Sequence, residues 1–187
     1  MDRAQLDRKI VDESVTGTTW QLPDQDGKGA TGLGRPPALA PPGLLAAAAA
    51  QCRRWGWAIS LTGSRILLTT GSQVGAVELA AELAAEVQRF LLTRLLAGPV
   101  IALPGTPRRW LLLVASAERV PQATVDRLAG RGGITHRAGA LVPLPPSRLA
   151  CGQVTWQVPP ALVEPWLPPL TAISAAVRSI TDPPGTP

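Results

Sequence analysis

The stretch Arg53-Arg54-Trp55-Gly56-Trp57-Ala58-Ile59-Ser60-Leu61-Thr62-Gly63-Ser64-Arg65-Ile66-Leu67-Leu68-Thr69 changes its hydrophobic period at Gly56. Upstream, Leu45, Ala48, Cys52 and Trp55 recur three and four residues apart, which is one face of a helix. Gly56 follows where a helix commonly ends in the left-handed conformation. Beyond it Trp57, Ile59 and Leu61 alternate with Ala58 and Ser60, the period of a half-buried strand. Thr62-Gly63-Ser64 then turns the chain and Ile66–Thr69 returns, so the pattern predicts a hairpin. A helix feeding a hairpin points to an antiparallel sheet rather than to a parallel crossover fold.

The rest of the chain extends this reading. Leu79, Leu83, Val87, Phe90, Leu91 and Leu95 form one apolar stripe, closed by Gly98 and Pro99, and predict the clearest helix. Two short strands follow at 100–103 and 109–114, joined through Pro104-Gly105-Thr106-Pro107. Pro121 suits the first turn of a helix that reaches Ala129, with Gly130 after it. Further strands are expected at 141–144 and 154–158, where Val154, Trp156 and Val158 alternate with Thr155 and Gln157. A last helix is expected over about 170–180, and no internal repeat is present. The fold class is therefore α+β, a mostly antiparallel sheet with helices packed on it.

At 187 residues with 45% apolar composition, the chain has material for one core. We place it at 44–181. Residues 1–43, with Gly27–Gly34 and the pairs Pro36-Pro37 and Pro41-Pro42, have the chemistry of a flexible tail, and 182–187 read as a short disordered end. No apolar run approaches the ~18 residues of a membrane span, and Met1–Gln5 opens no secretory signal. The expectation is a cytoplasmic protein with no membrane partner. Residues 1–43 carry six acids and five bases, a net of −1, whereas 44–187 carry seven acids and thirteen arginines, a net of +6. A basic body suits an anionic partner such as nucleic acid or nucleotide, although Arg, Ala, Pro and Gly are also the residues that GC-rich coding favours.

The chemical inventory is thin. His136 is the one histidine, so any Ser–His or Cys–His arrangement must use it. It sits between Gly132-Gly133 and Arg137, and reads as a solvated loop residue. Glu78, Glu82 and Glu86 stand four apart and on a helix would share a solvated face, with Glu86 beside Arg89. Gly27-Lys28-Gly29 lacks the strand and the Gly-Lys-Ser/Thr of a phosphate loop. Cys52 and Cys151 fit no metal spacing and are expected to be reduced. Arg53-Arg54 complements the dipole at a helix end. Arg108-Arg109-Trp110 opens a strand directly after a turn, and two guanidiniums beside an aromatic ring can hold phosphate and stack on a base. Arg131, Arg137 and Arg148 flank Gly- or Pro-rich turns and could extend that surface.

Three stretches in order resemble the N-terminal domain of bifunctional DNA primase/polymerases, relatives of the archaeo-eukaryotic primases. Arg53-Arg54-Trp55-Gly56-Trp57-Ala58-Ile59 is similar to that family's helix ending in Gly-Trp before the first strand. Arg109-Trp110-Leu111-Leu112-Leu113 resembles the strand that in the family carries a histidine. The segment from Gly139 to Ser147, then Gly152 and Trp156, is similar to the family's closing Gly-Tyr-Val-Val-x-Pro-Pro-Ser segment and the aromatic strand after it. The likeness spans about 44–166. It implies a primase/polymerase-like domain, DNA replication, and catalytic divalent metal held by an Asp-x-Asp pair. The matching segment, Val74–Ala80, offers only Glu78, with Ala76 and Ala80 on either side, and the histidine position holds Arg109 or Trp110. Two-metal phosphoryl transfer needs clustered carboxylates. The expectation is therefore a catalytically inactive domain with Glu78 as a vestige, no cofactor, and Arg108, Arg109, Trp110 and Arg148 as contacts to DNA, RNA or nucleotide. Two alternatives stand beside it. One is a protein-interaction module using the Pro-rich tails or Trp166-Leu167-Pro168-Pro169. The other is an active nucleotidyltransferase using Glu78 with Mg²⁺.

Overall fold

A computed structural model describes residues 42–116, 118, 120–160 and 165–182. The chain divides into two units, Met1–Pro36 and Pro37–Pro187, and everything described belongs to the second. The tail read at 1–43 lies outside the described residues except for Pro42 and Gly43, which open the first helix. Of the end read at 182–187, Asp182 is described and 183–187 lie outside the described residues.

The elements run α1 (Pro42–Arg54), β1 (Ile59–Thr62), β2 (Arg65–Thr69), β3 (Val74–Ala80), α2 (Ala81–Leu92), β4 (Val100–Leu103), β5 (Arg109–Ala115) and α3 (Gln122–Ala129). Then follow β6 (Ile134–His136), β7 (Leu141–Leu144), β8 (Arg148–Leu149), β9 (Gly152–Gln153), β10 (Thr155–Val158) and α4 (Leu170–Thr181). A five-stranded sheet has the order β10-β4-β5-β3-β6, a three-stranded sheet the order β1-β2-β7, and β8 pairs with β9. Every pairing is antiparallel. The fold is α+β, with four helices on antiparallel sheets among the described residues. Among the described residues no helix is long and apolar enough to cross a membrane.

The larger sheet is covered on both faces. Val77, Leu79, Leu112 and Val114 point into a cluster with Ala84, Val87 and Leu91 of α2, Leu128 of α3, and Leu170, Ile173 and Val177 of α4. Val74, Ala76, Leu111 and Leu113 point the other way, into a second cluster with Ile66 and Leu68 of β2, Val142 and Leu144 of β7, and Leu45, Ala49 and Cys52 of α1. Strands buried on both faces read as continuous apolar runs, without alternation. That is why Val74–Ala80 shows no strand period, and why Leu79, a β3 residue, joins the apolar stripe of the helix after it.

Several expectations are corrected here. Glu78 lies in β3 and Glu82 and Glu86 in or near the first turns of α2, so the three share no helix face. α2 stops at Leu92, and Leu95 is 89% exposed with φ +56°. Leu61, the expected inward residue of β1, is exposed, because β1 is the edge of its sheet. His136 is not in a loop: it is buried in β6. Asp182 ion-pairs with Arg131 and so ties the end of α4 to the turn after α3.

Two glycines are required where they stand. Gly56 has φ +79° and turns the chain so that Trp57 packs on Trp55, ring centroids 5.0 Å apart. At Gly98 a Cβ would lie 2.3 Å from Pro168 Cδ, so only glycine lets the 165–168 segment approach β4. Buried Ser147 stitches the smaller sheet: its Oγ accepts the Ile66 N–H at 2.7 Å and donates to the Ile66 carbonyl at 3.1 Å.

Candidate functional site

β3 lies between β5 and β6, and its register decides what surrounds Glu78. Glu78 stands opposite Leu111 of β5 and Ile134 of β6. Because side chains alternate, the residues two steps along those neighbours, Arg109 and His136, lie on the same face as Glu78, at diagonal positions. The Arg109 guanidinium donates from Nε to Glu78 Oε1, and from Nη2 to the Glu78 carbonyl at 3.3 Å and the Gly132 carbonyl at 3.0 Å. On the other side His136 Nε2 is 3.5 Å from Glu78 Oε2 and makes no hydrogen bond. At that length the contact is coulombic, acting when the imidazole is protonated.

The Glu78 side chain is 6% exposed and that of Arg109 24%. Burial alone would push the Glu78 carboxyl up. The His136 imidazole and the Arg109 guanidinium more than offset this, and hold the carboxyl below its ordinary range. The group is thus an internal counter-ion. One carboxylate with one oxygen committed to a guanidinium does not fit a pair of hard divalent cations, which require clustered oxygen ligands. Among the described residues no group of three or more His, Cys, Asp or Glu could hold a metal ion.

The residues read as nucleic-acid contacts are divided by the fold. Arg109 faces Glu78, whereas Trp110, its neighbour, points to the opposite face and packs half-buried against the helices. Arg108 is exposed, on a turn whose carbonyl receives the Ala81 N–H at 3.1 Å. Arg148 opens β8, and its N–H bonds the Ser64 carbonyl at 3.2 Å, beside Arg65. The β8–β9 hairpin is tied in turn to the loop before Arg108: Cys151 Sγ donates to the Pro104 carbonyl at 3.2 Å, and a Cβ on Gly152 would lie 3.0 Å from Pro104 Cβ. Arg65, Arg108, Arg109 and Arg148 therefore gather at one end of the two sheets. Arg131 is drawn to Asp182. Arg137 sits at the other end of β6, where its carbonyl and that of Ala140 accept from Thr70 Oγ1.

Sequence reasoning missed His136 as a neighbour of Glu78 and Arg65 as a member of the arginine-bearing end. Ile134-Thr135, a β-branched pair between two glycine turns, is the trace of β6 in the sequence. Nothing in the sequence marks Arg65 apart from its place beside the hairpin turn. No protein-family model, curated protein or solved structure matches this chain.

Proposed function

We propose that this chain is a primase/polymerase-like domain that has lost nucleotidyl transfer and holds nucleic acid by its phosphates at the arginine-bearing end of its sheets. The observation that carries the reading is the grouping of Arg65, Arg108 and Arg148 at the end of the sheets where the buried Glu78 carboxylate is already ion-paired to Arg109. Guanidiniums so placed offer planar, permanently charged donors to phosphate oxygens. The separation of Trp110 from Arg109 leaves base stacking there without support and favours contacts to the backbone, blind to sequence. The free cysteines, Cys52 buried and Cys151 exposed, are in keeping with a reducing cytoplasm.

The test is a fluorescence-anisotropy titration of single-stranded DNA and RNA oligonucleotides of mixed sequence against salt. With three arginines engaged, the log–log salt slope for a single strand should be about −2. Arg108→Ala or Arg148→Ala should each reduce that slope by about 0.7 without creating a sequence preference. Added Mg²⁺ and nucleoside triphosphates should yield no primer synthesis. Absence of binding at low salt would overturn the proposal, and primer synthesis abolished by Glu78→Ala would overturn its inactive half.

A further inference from the structure

His136 is the one histidine of the chain, and the fold buries it. Its Nε2 is buried without a hydrogen-bond partner and stands 3.5 Å from Glu78 Oε2. The other oxygen of that carboxylate, Oε1, is taken by Arg109. One carboxylate therefore lies between a permanent cation and a ring that becomes a cation only in acid. With the imidazole neutral, Glu78 and Arg109 cancel. With it protonated, the same three side chains carry a net positive charge.

Nothing else around His136 cancels that change. The elements that pack most against β6 are β3 and α3. β3 has no charged side chain besides Glu78, whose carboxyl is held below its ordinary range and stays ionised in mild acid. On α3 the charged residues, Asp126 and Arg127, are exposed. That helix covers the face to which Val77 and, opposite it, Thr135 point, whereas His136 lies opposite Ala76 on the other face. Arg137, next in the chain, is exposed. The charge gained also has an outlet. The Arg109 side chain is 24% exposed, and its committed donors are Nε, to Glu78, and Nη2, to the Glu78 and Gly132 carbonyls. Among the described residues its Nη1 makes no hydrogen bond.

We infer that His136 is a proton switch on this anion site: protonated, it takes a share of the Glu78 carboxylate and lets Arg109 hold a nucleic-acid phosphate on Nη1. The inference rests on the phosphate-binding reading and adds to it a fourth arginine, engaged only in acid. While His136 is neutral, a phosphate approaching Nη1 meets the uncompensated repulsion of the carboxylate behind the guanidinium. Once His136 is protonated, that repulsion is offset. By linkage, a phosphate that favours the protonated form also draws a proton onto the ring.

The test is the anisotropy titration of a single-stranded DNA oligonucleotide with hydroxyl ends, run at about pH 5.5 and about pH 7.5, on either side of the ordinary histidine value. Because the chain has a single histidine, no second one titrates in that window. One more phosphate contact on a single strand steepens the log–log salt slope by about 0.7, which at about 0.1 M salt is about fivefold in affinity. The parent should therefore bind about fivefold tighter at the lower pH. His136→Gln, neutral at both values, should keep the parent's affinity at the higher pH and lose the gain, with a melting curve to show that it is folded. A second readout needs no variant: in the proton NMR spectrum the single imidazole signal, at a fixed pH of about 6.5, should move toward its acid-limit position when the oligonucleotide is added. Equal affinity of the parent at the two pH values, a gain retained by His136→Gln, or an imidazole signal that the oligonucleotide leaves in place overturns the inference and leaves the phosphate-binding reading standing. Absence of binding at both pH values overturns the two together.

Discussion

Replacing Arg109 by Met tests whether Glu78 depends on its guanidinium. The substitution keeps the aliphatic stem and deletes the charge, with the hydrogen bonds to Glu78 Oε1, the Glu78 carbonyl and the Gly132 carbonyl. What remains is a carboxylate whose side chain is 6% exposed, with His136 at 3.5 Å and no hydrogen bond between them. Stranding a buried charge costs about 3–5 kcal/mol. The Arg109 side chain is 24% exposed, so water can reach the vacated position and lowers the cost below that range, to about 2–3 kcal/mol. Glu78→Gln alone should cost about 1 kcal/mol, because the partly solvated guanidinium can still find an amide oxygen. The double variant Glu78→Gln/Arg109→Met strands no charge and should lie within about 1 kcal/mol of the parent. Urea unfolding of the four proteins at neutral pH closes the double-mutant cycle. A single variant within about 0.5 kcal/mol of the parent, or a double variant no better than Arg109→Met, would refute the assignment of Glu78 as a counter-ion held by Arg109.

Other outcomes follow from the same structure. The Glu78 carboxyl is lower in the folded than in the unfolded chain, so its stabilisation is complete above the ordinary carboxylate range and is lost as the pH falls through the lowered folded value. Acid titration of stability should therefore be steeper for the parent than for Glu78→Gln; parallel curves would count against it. Ser147→Ala leaves the buried Ile66 N–H unpaired and should cost about 1–3 kcal/mol in urea unfolding. Burial pushes the Cys52 thiol up to about 11, whereas Cys151 is exposed, so a disulfide reagent at pH 8 should titrate one thiol in the native protein and two after denaturation.

The sequence disclosed most of the elements but not the site. Helices and edge strands announce themselves because each has a wet side: the α2 stripe, the alternation around Trp156, and the turn at Thr62–Ser64. β3, wet on neither side, left no period, and its single acid was read with the glutamates of the helix that follows. β6 is three residues long and enclosed by glycines, so His136 looked like a loop residue until pairing with β3 buried it. Arg109 and Trp110 were read together as adjacent residues, yet adjacency on a strand sends side chains to opposite faces. Once the strand was identified, their separation was implicit in it. The meeting of Glu78, Arg109 and His136 depends on cross-strand register, which no local pattern encodes.

The pairing of β2 with β7 joins Ile66 to Leu144 across most of the domain. At about 5–20 residues per second, a ribosome needs several seconds to synthesise the stretch between Thr69 and Leu144. Throughout that interval the β1–β2 hairpin has been made, but the strand that completes its sheet has not. Ile66 and Leu68 then wait with an open backbone edge beside them, the moment at which a nascent chain is most exposed to aggregation and most in need of a chaperone.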